Sequence, residues 1–288
     1  MLRSLLLLAL AALPAFAADN ALRDQVTGLF KQRQWAEAQA VLEKVTAAEP
    51  ANAEAWNYLG QTFLARNDYE KAVPLLEKAT QLDPTSSETM LQLGHAYGVG
   101  AMKSGLFSKL GFAKKCKAAY DKAVELDPKN IDARWSVMEY CKQAPGFIGG
   151  GMDGAYVQAE AIKKLDPPRG RQALAGLYLA DKKYDAMLAE FDEVLKVSPD
   201  DYTSLYQVGR FSANSGQFFE RGLVALRRCL QLPPPEGEPG HAPAQWRMGS
   251  ILERQGDKAG AKAAYEAALA VDPTFTRAIE ALRKLNGG

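Results

Sequence analysis

The chain has 288 residues, 47% hydrophobic and 24% charged, with a formal net charge of +1. Enough apolar residue is present to bury a core, which excludes a disordered tail. The near-neutral total argues against non-specific nucleic-acid binding, which depends on excess basic charge.

The first seventeen residues read as an address. Met1-Leu2-Arg3 is a short positive start, Leu5 to Leu13 is an unbroken apolar run, and Ala15-Phe16-Ala17 puts small residues at a cleavable bond. This is the secretory signal pattern, with cleavage expected after Ala17. The run is shorter than the roughly 20 residues of a membrane span, and no cysteine follows it to carry a lipid. An uncleaved N-terminal anchor is the alternative. Removing Arg3 lowers Lys+Arg from 35 to 34, against 34 Asp+Glu. The reading is an exported chain, periplasmic in a bacterium or secreted, with no transmembrane span in its mature part and peripheral membrane contact left open.

Beyond the signal, one unit repeats. A proline follows an apolar helix end at Pro50, Pro84, Pro128, Pro167, Pro199, Pro234 and Pro273, with gaps of 34, 44, 39, 32, 35 and 39 residues. A recurring distance near 34 marks helix–turn–helix repeats. The second unit is the clearest. Trp56, Leu59, Gly60 and Phe63 share one face of a first helix, Asn67-Asp68 breaks it, and Tyr69, Ala72, Leu76 and Ala79 share one face of a second. Gly60 and Ala72 let the two helices approach, and Leu59, Phe63 and Leu76 fill the space beside them.

The slots recur along the chain. They hold Trp35, Ala38 and Leu42 in the first unit, Leu93, Gly94, Tyr97, Cys116 and Tyr120 in the third, and Val137, Met138, Ala155, Ala159 and Ile162 in the fourth. The fifth has Leu174, Ala175, Tyr178, Tyr184, Met187 and Phe191; the sixth Val208, Gly209, Phe219, Gly222 and Leu226; the seventh Met248, Gly249, Leu252, Ala261, Tyr265 and Ala268. Met138 at the glycine slot predicts a splayed or shifted fourth pair. This pattern resembles the tetratricopeptide-repeat family over nearly the whole mature chain. The resemblance implies an all-α, right-handed superhelical solenoid of about seven helix pairs, with repeats near 19–52, 53–86, 87–130, 131–168, 169–201, 202–235 and 242–275. A capping helix near 274–286 would cover the last repeat.

Two insertions interrupt the rhythm. About ten extra residues lie in the third unit, near Gly98 to Phe112, where Met102, Leu106 and Leu110 repeat every four residues among Lys103, Lys109, Lys114, Lys115 and Lys117. No acid occurs from Thr89 to Tyr120. A helical extension fits. Its apolar residues either pack on the next repeat, or form a docking edge with the lysines for an acidic partner or membrane headgroup. About five extra residues lie in the fourth unit, in Ala144-Pro145-Gly146-Phe147-Ile148-Gly149-Gly150-Gly151. Pro145-Gly146 forces a turn, and the glycine run either caps it or presents amides to an anion. Equivalent turns of stacked repeats project from one edge, so the two insertions should be neighbours. The stretch Pro233 to His241 should emerge at the opposite edge. The loop, following the Lys-rich insertion, is similar to that of a subgroup of exported bacterial tetratricopeptide-repeat proteins, and no function carries over from it.

No catalytic set is visible. The two histidines, His95 and His241, lack zinc-ligand spacing, no nucleophile elbow is present, and no cofactor motif appears. The three cysteines, Cys116, Cys141 and Cys229, are odd in number and read as buried thiols; a Cys116–Cys141 bridge is the alternative. The family typically binds peptides or helices in a concave groove lined by first helices. Carried over slot by slot, this implies groove residues Asn57, Gln61, Leu91, His95, Trp135, Glu139, Tyr206, Arg210 and Trp246, with Trp135 equally suited to the core if its register shifts by one. The insertion edge offers Lys103, Leu106, Phe107, Lys109, Phe147 and Ile148. Chaperone-type binding of a C-terminal carboxylate is disfavoured, since only Asn57 of that clamp is present. The expected function is a non-enzymatic protein-interaction scaffold of the cell envelope. The alternatives are a small-molecule or envelope-surface binder using the groove or the insertion at 98–117, and an enzyme whose side chains meet only in space.

Overall fold

The computed structural model describes residues 15–287, with side chains from residue 21 onward except those of Leu106 and Phe107. Most of the expected signal segment therefore lies outside the described residues. The described chain is all helix and turn, and it divides into two compact units, Met1–Leu165 and Asp166–Gly288.

The first unit holds α1 (Ala15–Lys31), α2 (Trp35–Ala48), α3 (Ala53–Ala65), α4 (Tyr69–Leu82), α5 (Ser87–Lys103), α6 (Leu106–Leu126), α7 (Ile131–Gln143), a 3-10 turn (Gly146–Ile148) and α8 (Met152–Leu165). The second holds α9 (Pro167–Ala180), α10 (Tyr184–Val197), α11 (Tyr202–Ser215), α12 (Phe219–Cys229), α13 (His241–Gln255), α14 (Lys258–Val271) and the terminal α15 (Thr276–Leu285). Consecutive helices pair, giving four pairs in the first unit and three plus a terminal helix in the second.

The helix starts are written locally. Asn52, Asp68, Ser86, Asn130, Asp166, Asp201 and Asp257 each accept a backbone N–H three residues on, satisfying an otherwise orphaned donor. The Asp-Pro junctions between repeats use the same chemistry. Asp83 accepts from both the N–H and the hydroxyl of Thr85, and Asp272 does so from Thr274. These bonds hold both carboxyls below the usual carboxylate range. Pro74, the sixth residue of α4, lies past the first turn and forgoes one backbone hydrogen bond of the helix.

Four of the pairs are held by one close approach at a glycine. A Cβ on Gly60 would lie 2.5 Å from Leu76 Cγ, one on Gly94 2.4 Å from the Tyr120 ring, one on Gly209 2.2 Å from Leu226 Cγ, and one on Gly249 2.4 Å from the Tyr265 ring. The glycine thus makes room for a large side chain of the second helix, and Leu76, Leu226 and Tyr265 are wholly buried as a result. The fourth pair is not splayed. Met138 is buried at the glycine slot, and on the partner helix a Cβ on Gly154 would meet Cys141 Sγ at 3.0 Å. All three cysteines are free and buried, so Cys116 and Cys141 are not bridged.

Candidate functional site

The ten extra residues of the third repeat are not a loop. They lengthen both helices of the pair, α5 to 17 residues and α6 to 21, against 13 and 14 for α3 and α4. The helices stay close because Gly100 admits the Phe112 ring, which would lie 3.0 Å from an added Cβ. Phe112 meets Tyr69 edge-on at 5.6 Å and leans on Tyr97 at 6.2 Å. The extension is therefore braced on the preceding repeat. Lys103 Nζ donates to the Asn67 carbonyl at 2.7 Å, and Lys115 reaches Glu77 at 3.8 Å while lying 5.1 Å from the Tyr97 ring centre.

The opposite face of the extension does not pack on the next repeat as a core. Met102 is 77% exposed and Leu110 43%. They line a cavity of about 1090 Å³ whose far wall is α7 and the loop after it, including Trp135, Tyr140, Phe147 and Ile148. The two insertions are thus neighbours, as their equivalent places in the repeats require. Leu106 and Phe107, expected at this edge, have side chains outside those described.

The loop is rigidly tied to α7. Tyr140 donates its hydroxyl to the Ile148 carbonyl at 3.0 Å, and the Gly151 N–H donates to the Cys141 carbonyl at 2.7 Å. The amides of Gly149 and Gly150 donate to Gly146 and Pro145 carbonyls. The glycine run spends these amides on its own turn, which favours the turn cap over the anion-binding alternative. Gly150 is obligatory for a different reason: a Cβ there would sit 1.8 Å from the Ala144 carbonyl oxygen. Phe147 is not a packed plug for this turn; it stands 79% exposed at the cavity.

Three groove residues reach the same cavity. His95, Trp135 and Glu139 are half-buried and line it together with Lys109. His95 Nε2 is 3.2 Å from Ser136 Oγ, and its ring stands edge-on to Tyr120. Burial lowers its pKa, against the opposing charges of Glu88 and Asp132, so the ring is neutral at pH 7. Glu139 accepts from Lys142 at 3.0 Å and from Gln143. Cys116 lies on the cavity wall with its thiol pushed up to about 11 by burial, which suppresses the thiolate needed for nucleophilic chemistry. Gln61, half-buried, does not line this cavity.

Three of the remaining groove residues are corrected by their burial. Asn57, Leu91 and Tyr206 are buried, at 6%, 2% and 3% exposure. Tyr206 shows the reason in the second unit. Arg247 of α13, itself buried, donates Nε to the Tyr206 hydroxyl at 2.9 Å and lies against its ring, so the neighbouring first helix covers the slot. Asn57 and Leu91 are likewise interior rather than groove surface. In the second unit Arg210 is exposed, and Trp246 is half-buried with the Arg247 and Arg277 guanidinium groups 5.1 and 5.2 Å from its ring centre.

Val99 and Ala113, which sequence reasoning did not single out, also line the cavity. Each stands three residues from Met102 or Leu110, so the helical period carried the signal. Ser136 and Tyr140 had none. Among the described residues no group of three or more His, Cys, Asp or Glu is placed to hold a metal, and no helix is long and apolar enough to cross a membrane.

Tetratricopeptide-repeat family models match residues 23–87, 101–130 and 242–275. No curated protein matches the chain. Among solved structures, a tetratricopeptide-repeat protein from Parabacteroides merdae superposes with a TM-score of 0.55 at 16% identity, covering 93% of this chain and 98% of its own. The C-terminal part of a repeat protein from Cytophaga hutchinsonii gives 0.57 at 19%, covering 91% and 99%. A chain of the APC/C hetero-tetramer Cut9–Hcn1 gives 0.50 at 13%, covering 90% and 48%. At these identities the likeness is one of fold. With the glycine-to-large-residue contact repeated in four pairs and family matches near both ends and in the middle, the chain carries tetratricopeptide repeats and has the fold of tetratricopeptide-repeat proteins.

Proposed function

We propose that the protein is a non-enzymatic interaction scaffold of the cell envelope and that it engages a protein or peptide partner at the cavity bounded by α5, α6, α7 and the 3-10 turn. Tetratricopeptide repeats serve generally in protein–protein interaction, and one similar solved chain belongs to a hetero-tetramer. The single observation that carries the site is the convergence of Met102, Leu110 and Phe147, large apolar residues left in solvent, on one cavity. Exposed apolar patches of this kind mark interaction surfaces. Envelope location rests on the signal-like first seventeen residues.

A second reading, a small-molecule binder, is favoured by one feature: the cavity volume lies near the roughly 300–1,000 Å³ of ligand pockets. Photo-crosslinking from position 147 in intact cells separates the two. A discrete protein adduct, lost on Met102→Ser and retained by Arg210→Ala, supports the scaffold. A persistent absence of protein adducts, with a small molecule recovered by extracting the purified protein, would replace it. Far-UV circular dichroism verifies that each variant is folded.

A further inference from the structure

The geometry points to an acidic amphipathic segment as the occupant of this cavity: large apolar side chains on one stripe, seated against Met102, Leu110 and Phe147, with carboxylates flanking them opposite Lys109 and Lys114. The inference rests on the cavity being the partner site and adds the chemistry of what enters it.

The whole chain is nearly balanced, yet no Asp or Glu occurs between Thr89 and Tyr120, which includes most of α5 and the first two-thirds of α6. Two of the lysines here are already matched within the protein, Lys115 by Glu77 and Lys117 by Asp121 at 2.6 Å. Lys109 lines the cavity, and Lys114 stands one helical turn beyond Leu110. Both are exposed and neither has a carboxylate partner among the described residues. On the far wall, Glu139 is already engaged by Lys142. The cavity thus has a largely apolar lining with one uncompensated lysine, Lys109, in its wall and a second, Lys114, beside it on α6. Complementary potential selects an acidic partner and penalises a basic one.

A segment rather than a membrane surface fits the shape. Apolar side chains line two sides of a partly open cavity, with Val99, Met102 and Leu110 on one side and Trp135, Phe147 and Ile148 on the other. A flat headgroup layer reaches only the rim, whereas a helix projects anchors at i, i+3/i+4 and i+7 into such a space.

The test uses the full mature chain and synthetic helical peptides with leucines along one stripe and either glutamates or lysines elsewhere, read by fluorescence anisotropy. The wild type is expected to bind the glutamate peptide about 10-fold more tightly than the lysine peptide. Lys109→Glu/Lys114→Glu should reverse that preference, and Met102→Ser/Phe147→Ser should abolish binding of both. Equal binding of the two peptides, lost in the apolar variant, overturns the charge inference while leaving the cavity as the partner site. Binding of neither peptide, with capture by phosphatidylglycerol vesicles instead, overturns it in favour of a membrane surface. Binding of no probe at all removes the cavity reading with it. All four substituted positions are exposed, so folding is not the variable.

Discussion

Gly209→Ala separates two opposed forces that act on the same residue. Gly209 lies in the interior of α11, where alanine is intrinsically favoured over glycine by about 1 kcal/mol. Propensity alone therefore predicts stabilisation. The structure predicts the reverse. The new methyl would lie 2.2, 2.5 and 2.8 Å from Cγ, Cδ2 and Cδ1 of Leu226, a side chain with no exposure. The overlap is with the whole isobutyl group, so a small rotation cannot relieve it. Either α11 and α12 part, an overpacking cost of about 1–3 kcal/mol, or Leu226 leaves its site, which approaches the roughly 2–5 kcal/mol of a Leu→Ala truncation. After the propensity gain is subtracted, the net loss is about 0–2 kcal/mol by the first route and about 1–4 kcal/mol by the second.

Gly176→Ala is the internal control. It lies in the interior of α9 in the same unit, and an added Cβ meets nothing within 4 Å, so only the propensity gain of about 1 kcal/mol remains. Urea denaturation followed by far-UV circular dichroism reads both. The double variant Gly209→Ala/Leu226→Ala should be less destabilised than the two single losses added together, because the truncation vacates the space the methyl needs. If Gly209→Ala stabilises the protein as much as Gly176→Ala does, the glycine slot is not a packing constraint and the account of how the pairs are held fails.

Three further outcomes follow from named contacts. Tyr206→Phe should cost about 1–3 kcal/mol, because it strips the buried Arg247 of its Nε partner and leaves Asn214 at 3.3 Å; a denaturation midpoint unchanged from wild type would contradict the burial of that slot. His95, whose folded pKa is lowered, binds fewer protons in the folded than in the unfolded state. Its contribution is present above the unfolded value near 6.5 and is lost as pH falls through 6.5 toward the lower folded pKa, so stability should decline as pH falls below about 6.5, and His95→Gln should flatten that part of the profile. In native protein the three thiols should resist a thiol-reactive dye at neutral pH, since burial pushes Cys116 up to about 11 and Cys229 up to about 12, and all three should titrate in denaturant; fewer than three would reveal a disulfide.

The repeat architecture was legible because its signals are local. A capping Asn, Asp or Ser, a glycine eight or so residues later, and a large residue on the following helix recur at fixed spacing, and each acts on its own pair. Even the missing glycine at Met138 was visible, but not how the pair packs, since the close approach at Gly154 is to Cys141 on the partner helix and only the three-dimensional structure connects the two. The functional surface was half legible. The helical stripe of Met102 and Leu110 and the Phe147 turn could be read and expected to adjoin. Sequence could not assign exposure, because that depends on which neighbour covers a residue. Tyr206 has the slot of a groove residue and is buried by Arg247 from 41 positions away, whereas Met102 has the pattern of a core residue and stands in water because the extension braces on the preceding repeat through Phe112. The lysines divide in the same way: Glu77 claims Lys115 from a different helix, and Lys109 is left facing the cavity. Helix pairing follows from short-range spacing, and the site from the long-range contacts that decide what remains uncovered.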